Sequence, residues 1–224
     1  MESFVNKPDT IVGQPLKAGF HEELHYDADM DTLSTVLDGE KRVSLAFTPW
    51  SAFPFKPEVR FSIAHSKDCL FLKYYVEEKV AVAAHSDTHS AVYKDSCVEF
   101  FISFDTAGYY NFEFNCTGTA LAAYGKGREN RTFLSIEAID RIRRRAVIDK
   151  SGPSAGVKWT LTLAIPLYVF TAHSIDSLSG RECRANFYKC GEDLPDPHFL
   201  AWANIDSPEP DFHLPEHFGS LIFE

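Results

Sequence analysis

The sequence predicts an all-β protein, folded as an antiparallel, jelly-roll-like β-sandwich with one or two short helices. Aromatic residues make up 14% of the chain, including 19 Phe and 9 Tyr, and such side chains suit pleated, half-buried surfaces. About ten short segments alternate apolar and polar residues with the period of a strand. They recur at the spacing of roughly 8–12 residues that is typical of sandwiches. Because no linker or repeat divides the chain, we expect residues 1–224 to form one domain.

The composition excludes several classes of protein. A hydrophobic fraction of 45% is too high for a disordered chain. No segment approaches the roughly 20 apolar residues that a membrane-spanning helix requires. The 22 basic residues are outnumbered by 32 acidic ones, giving a net charge of −10, so nucleic acid is not an expected partner. Residues 1–8 show no signal peptide. The expected compartment therefore stays open between the cytoplasm and secretion after removal of a leader.

The hydrophobic pattern places the elements along the chain. We expect residues 1–27 to wrap the edge of the domain, and residues 29–38 to form a helix that ends at Gly39. A turn is expected at 150–156 and one helical turn at 166–170. Strands are predicted at 43–47, 59–65, 69–76, 96–104, 109–116, 119–124, 142–149, 157–165, 184–189, 199–203 and 220–223.

The cysteines do not indicate a disulfide framework or a zinc ribbon. The chain has five of them, an odd number, and none are spaced C-x-x-C. Most fall within predicted strands, where a free cysteine behaves as a small apolar residue. We therefore expect buried thiols and no required cofactor.

Two neighbouring strands carry polar side chains that could bind a ligand. Strand alternation places Glu99 opposite its apolar neighbours, and Glu113 likewise, with Asn111 and Asn115 on the same face as Glu113. Carboxylates and amides hydrogen-bond to paired hydroxyls, and nearby aromatic rings can stack on the apolar face of a sugar. This face therefore suggests sugar recognition.

Two other interpretations of the same carboxylates remain open. Glu99 and Glu113 could be ordinary solvated strand positions. They could also be the acid and base of a glycosidase, although a shallow sheet face should offer little of the desolvation needed to raise the pKa of a carboxyl group.

The order and spacing of several motifs resemble those of the family 9 carbohydrate-binding modules. The motifs are YKDSCVEFF at residues 93–101, YNFEFN at 110–115, WAN at 202–204 and FHLPEHFGSL at 212–221. The resemblance covers roughly residues 35–224. It implies a β-sandwich that binds an oligo- or polysaccharide of the glucan or xylan type without transforming it.

The resemblance also implies roles for particular residues. The family clamps its sugar between two tryptophans, and the matching positions here hold Tyr93 and Phe212. Glu99 matches the binding carboxylate of the family. A family arginine on the second strand is replaced by Glu113, so one cationic donor is missing. A further alternative is therefore a protein-interaction sandwich that has lost its sugar site.

Calcium is the metal that we expect, if one is bound. Relatives in this family often carry structural calcium, which prefers hard oxygen ligands from acidic side chains and loop carbonyls. The acidic segment near the C-terminus offers Asp206, Glu209 and Asp211. A solvated acidic loop is the alternative interpretation of the same residues.

Overall fold

The computed structural model describes residues 14–150 and 156–224. The turn expected at 150–156 therefore lies, apart from its two ends, outside the described residues, as does the first half of the segment 1–27. The elements are β1 (Leu16–Phe20), α1 (Met30–Gly39), β2 (Val43–Ser44), β3 (Glu58–His65), β4 (Cys69–Glu78), β5 (Cys97–Ser103), β6 (Tyr109–Asn115), β7 (Ala120–Gly125), β8 (Arg131–Phe133), α2 (Ile136–Asp140), β9 (Arg143–Asp149), β10 (Val157–Pro166), β11 (Glu182–Gly191), β12 (His198–Ala201) and β13 (Gly219–Phe223).

The strands form two stacked sheets that share one edge strand. The first sheet has the order β8-β7-β6-β5-β11-β13-β1, and the second continues as β1-β3-β4-β10-β9. Two short strands lie outside these orders: β12 pairs with β11, and β2 pairs with β3. Every pairing is antiparallel except the two made by β1. The predicted antiparallel β-sandwich is thus confirmed.

The shared strand β1 corrects the expectation that residues 1–27 only wrap the domain edge. It pairs in parallel with β13 through Leu16 and with β3 through Phe20. Only Ala18 of its five residues is fully buried. A strand of five residues is too short for its period to be recognised in the sequence, and its pairing depends on the two sheets that it joins. The strand β8 and the helix α2 were also missed by the sequence analysis, because three and five residues are too few to establish a period.

The main core lies between the two sheets. The inward side chains of the first sheet include Phe100, Phe112 and Phe187, and all three are fully buried. Phe187 stacks on Phe61 of the second sheet with ring centroids 3.8 Å apart. The alternation that placed Val98 and Phe100 away from Glu99 is confirmed, because both belong to this core.

Two further layers cover the outer faces of the sandwich. Helix α1, capped by the side chain of Asp29, packs Leu33 and Leu37 on the second sheet. Long loops cover the first sheet and bury a separate apolar cluster on it, which includes Trp50, Phe199, Phe212 and Phe218. The strands β5, β6 and β11 are therefore buried on both faces. Among the described residues, no helix has the length and hydropathy to cross a membrane.

A buried ion pair connects the two sheets inside the main core. The Lys189 ammonium of β11 lies 3.0 Å from the Glu78 carboxylate of β4, and both side chains are at most 1% exposed. The other oxygen of Glu78 accepts a hydrogen bond from Trp159 at 2.7 Å. Lys189 also contacts His198 Nε2 at 2.7 Å. The pair is thus held by hydrogen bonds on both sides, as buried charges require.

Neutralising one partner of this ion pair should destabilise the protein. We expect Glu78→Gln to lower the free energy of unfolding by about 3–5 kcal/mol, because it leaves the Lys189 ammonium buried without a counterion. Denaturation in urea measures the change. The matched control is Glu77→Gln on the same strand, since Glu77 pairs with Lys158 at the surface and should contribute less than about 1 kcal/mol. Equal losses in the two variants would contradict this role.

Candidate functional site

A cavity of about 490 Å³ opens on the outer face of the first sheet. Its floor is formed by β5, β6 and β11, and its walls by the loops that precede β5, connect β7 to β8 and follow β12. Four of the six predicted binding residues line it, namely Tyr93, Glu99, Glu113 and Phe212. The size is within the range of roughly 300–1,000 Å³ typical of small-ligand sites.

The two carboxyl groups lie side by side on the floor of this cavity. Glu99 of β5 and Glu113 of β6 are directly paired in the strand register, so their side chains emerge next to each other on the same face. They are only 3% and 2% exposed. This burial corrects the interpretation of both residues as solvated strand positions. It also corrects the expectation of a shallow face with little desolvation, because the covering loops exclude water.

Burial changes the acidity of both groups. Desolvation raises the pKa of Glu113 to about 7, although Arg131 and the Asn111 amide oppose the shift. Desolvation also raises the pKa of Glu99 well above its ordinary value, and Cys190 and Glu113 add to the shift. The pair therefore holds protons under conditions that ionise exposed carboxyl groups. A protonated carboxyl can donate as well as accept a hydrogen bond.

Two arginines that the sequence analysis missed supply cationic donors to the cavity. Arg131 of β8 lies 3.5 Å from Glu113 Oε1, and Arg128 lies 4.0 Å from Asp211 Oδ1 at the rim. The family arginine remains absent from β6, but the hairpin of β7 and β8 brings two other guanidinium groups to the cavity. The signal in the sequence was the segment 125–130, a Gly-rich turn. Gly125 is required there, since a Cβ would lie 2.2 Å from the Asn130 carbonyl oxygen.

His213 completes the polar wall beside Arg131. Its Nδ1 lies 2.8 Å from the Tyr109 hydroxyl, and its Nε2 lies 3.1 Å from Arg131 Nη1. Arg131 Nη1 also lies 3.4 Å from Nδ1, so the guanidinium, which only donates, faces the edge of the imidazole ring. Burial, with the neighbouring arginines adding to it, lowers the pKa of His213 to about 3. The histidine is therefore neutral and adds no charge to the cavity.

The two aromatic residues at the family tryptophan positions differ in their surroundings. Phe212 is 7% exposed, and one face of its ring stacks on Tyr188 with centroids 4.1 Å apart and an interplanar angle of 7°. Trp50 packs against it at 5.8 Å. Tyr93, by contrast, is only half-buried. Tyr93 therefore offers more ring surface to a ligand, whereas Phe212 is also part of the outer apolar cluster.

The two predicted asparagines contact other protein groups. Asn111 donates to Glu113 Oε1 at 3.0 Å and so orients that carboxyl group. Asn115 donates to Asp95 Oδ2 at 2.9 Å and to the His85 carbonyl at 2.8 Å, and it is not among the residues that line the cavity. Its role in the structure is to hold the loop that carries Tyr93.

The structure does not bring the three predicted calcium ligands together. Asp206 and Glu209 are exposed, whereas Asp211 is half-buried at the cavity rim. The Asp211 carboxylate accepts a hydrogen bond from the His213 backbone at 2.9 Å. In the described ranges, these three carboxylates form no cluster of donor atoms that could surround one ion.

The fold is a β-sandwich, and a cavity on the outer face of one of its sheets is the candidate ligand site. The chain belongs to carbohydrate-binding family 9, whose sequence profile matches residues 31–223. The predicted family resemblance is thus confirmed. No curated protein matches the chain.

Solved structures show the same architecture. A protein from Bacteroides uniformis, described as a candidate carbohydrate-binding protein, is 35% identical with a TM-score of 0.85, over 93% of this chain and 98% of its own. A family 9 module from Caldicellulosiruptor kristjanssonii, solved with glucose, has a TM-score of 0.62 at 14% identity, over 94% of this chain and 96% of its own. Its cellotriose complex gives the same TM-score and identity, over 94% of each chain.

The buried carboxyl group of Glu113 should make stability depend on pH. Its pKa is 4.5 when exposed and about 7 when folded, so between these values the folded protein keeps a proton that the unfolded chain loses. Stability therefore falls as the pH rises through this window. Relative to Glu113→Gln, we expect the wild type to lose about 3 kcal/mol, measured by urea denaturation at several pH values.

The exposed Glu129 at the cavity rim provides the control for this prediction. Glu129→Gln leaves the buried carboxyl group in place and should therefore keep the pH-dependent loss of stability. If Glu113→Gln and the wild type instead respond to pH in the same way, the folded protein does not hold the proton on Glu113.

Proposed function

We propose that this protein binds an oligo- or polysaccharide of the glucan or xylan type in the cavity above β5, β6 and β11, without transforming it. Tyr93 and Phe212 provide the aromatic surface for a sugar ring, and Glu99 and Glu113 exchange hydrogen bonds with its hydroxyls. The observation that carries the proposal is the buried, side-by-side pair of carboxyl groups on the floor of a cavity walled by aromatic residues.

The polar atoms of the cavity support a ligand rich in hydroxyl groups. Glu113 Oε2 has no hydrogen-bond partner within the described part of the chain, and a buried polar atom without a partner destabilises a protein unless a ligand or water satisfies it. A vicinal pair of sugar hydroxyls can both donate and accept, which matches carboxyl groups that carry a proton. Membership of family 9 supports the same class of ligand.

The charge of the cavity favours a neutral sugar over a uronate. Five acidic residues line it, and even with Glu99 and Glu113 protonated, Glu129, Glu192 and Asp211 outnumber the two arginines. Each arginine already lies beside a carboxyl group, Arg131 beside Glu113 and Arg128 beside Asp211. An anionic sugar would therefore meet more negative than positive charge. The glucose and cellotriose in the C. kristjanssonii structures are neutral ligands, and we propose the same class here.

Isothermal titration with glucose, cello-oligosaccharides and xylo-oligosaccharides tests the proposal. We expect saturable binding, weakened about 2- to 10-fold by Glu99→Gln, since a hydrogen bond between neutral groups contributes about 0.5–1.5 kcal/mol. Tyr93→Ala should weaken binding about 3- to 10-fold through the loss of ring stacking. Glucuronate should bind more weakly than glucose.

Matched controls separate site effects from general ones. Tyr168→Ala removes a tyrosine that is 59% exposed and lies outside the cavity lining, and Glu77→Gln neutralises a surface carboxylate. Both variants should bind as the wild type does. Absence of binding across the sugar panel would contradict the proposal and favour a protein-interaction domain instead.

The paired carboxyl groups also fit the alternative function of a glycosidase. Buried neighbouring carboxyls with raised pKa values are the arrangement from which glycosidases build an acid and a second carboxylate, and the structure shows such a pair in Glu99 and Glu113. Turnover of chromogenic glycosides that disappears in Glu99→Gln would favour that function. Binding without turnover favours the module proposed here.

A further inference from the structure

Three potential metal ligands meet at the floor of the cavity. The thiols of Cys97 and Cys190 and a carboxyl oxygen of Glu99 all lie within 4.8 Å of one another. Within residues 14–150 and 156–224, this is the one group of three or more His, Cys, Asp or Glu side chains with that property. Two ligands that each lie about 2.3 Å from one ion are separated by at most about 4.6 Å, so small side-chain rotations would suffice to surround an ion.

The sheet backbone fixes these three side chains relative to one another. Cys97 and Cys190 are directly paired across β5 and β11. Glu99 follows Cys97 by two residues on β5 and therefore points to the same face. All three are at most 3% exposed. Such a site needs little reorganisation, because the strands that hold its ligands are themselves packed on both faces.

No cationic side chain of the described residues occupies the position that an ion would take beside Glu99. In the described part of the chain, no lysine, arginine or histidine forms an ion pair with Glu99, and the Cys190 thiol donates to Glu99 Oε1 at 3.0 Å. The Lys189 ammonium donates to the Cys190 carbonyl oxygen at 2.9 Å. Burial keeps both thiols protonated, so an ion must displace their protons when it binds. Glu99 and Cys190 also line the cavity, so an ion can reach them from solvent.

We propose that Cys97, Cys190 and Glu99 form a binding site for a thiophilic divalent cation of the zinc class. Two thiolates and one carboxylate select such an ion over calcium or magnesium, which prefer oxygen ligands. The two thiol protons, and the proton that the buried Glu99 carboxyl group holds, leave to solvent when the ion binds. The fourth coordination position faces the cavity, where water can fill it. The ion engages Glu99, so it and a sugar would affect each other's affinity reciprocally.

A cadmium titration of the full, reduced and metal-free chain tests this site. We expect a thiolate-to-cadmium charge-transfer band in the ultraviolet that saturates at one equivalent and is removed by zinc. Cys97→Ala and Cys190→Ala should each abolish the saturable band, and Glu99→Gln should weaken affinity about 10-fold or more. The matched controls are Cys116→Ala and Cys183→Ala, which remove thiols buried in the main core and should leave the band unchanged.

Protection from alkylation gives a second measurement that needs no variant. Zinc should slow the alkylation of Cys97 and Cys190, located by mass spectrometry, and not that of Cys69, Cys116 or Cys183. The site is overturned if no saturable band forms, if the band persists without both Cys97 and Cys190, or if zinc protects all five thiols alike. Sugar titrations on the metal-free protein keep this outcome separate from that of the proposed function.

Discussion

The exclusion of water from both faces of the sheet that carries β5, β6 and β11 determines the chemistry of every polar residue on it. On the inner face, Lys189 is stable only because Glu78 and His198 surround its ammonium group. On the outer face, Glu99 and Glu113 are held side by side with raised pKa values. A sheet of this kind commonly has one face open to solvent, where the same carboxyl groups would be ordinary acids.

The covering layer on the outer face is therefore as important for the site as the strands beneath it. Trp50, Phe199 and Phe212 pack into one cluster on the sheet. Phe199 of β12 and Phe212 of the loop after it line the cavity, and Trp50 packs against both rings. Phe212 belongs both to this cluster and to the lining, so removal of its ring would disturb the wall as well as the proposed sugar contact. Tyr93, held by the loop that Asp95 and Asn115 fasten, is the more direct probe of stacking.

The same small area is proposed to serve two chemistries. The carboxyl pair suits sugar hydroxyls, whereas Cys97 and Cys190 beneath it suit a soft cation, and Glu99 is shared by both sets. Glu99 belongs to both sets because of the strand geometry. Alternate residues of β5 project from the outer side of the sheet, next to the paired residues of β6 and β11. A metal and a sugar at this floor would be thermodynamically linked through one carboxyl group.

Local patterns in the sequence were sufficient for the sandwich, for most of its strands and for placing Glu99 and Glu113 opposite their apolar neighbours, because a period of two reports which side chains of one strand share a face. The family motifs added Tyr93 and Phe212, which the structure places at the same cavity. Short elements such as β1 and β8 were missed, since they depend on neighbours distant in the chain. Because β8 was not predicted, Arg131 was not recognised as a cationic residue beside Glu113.

The sequence by itself thus determined which residues face outward from the first sheet, but not what lies above them. Whether Glu99 lies on an exposed face or at the floor of a cavity depends on where the loop that carries Phe212 folds back, and that is decided by long-range packing of aromatic side chains. The same holds for Asp206, Glu209 and Asp211, which are close in sequence and do not converge in space. Periodicity reports the direction of a side chain, whereas its solvation, and therefore its charge and chemistry, is a property of the tertiary structure.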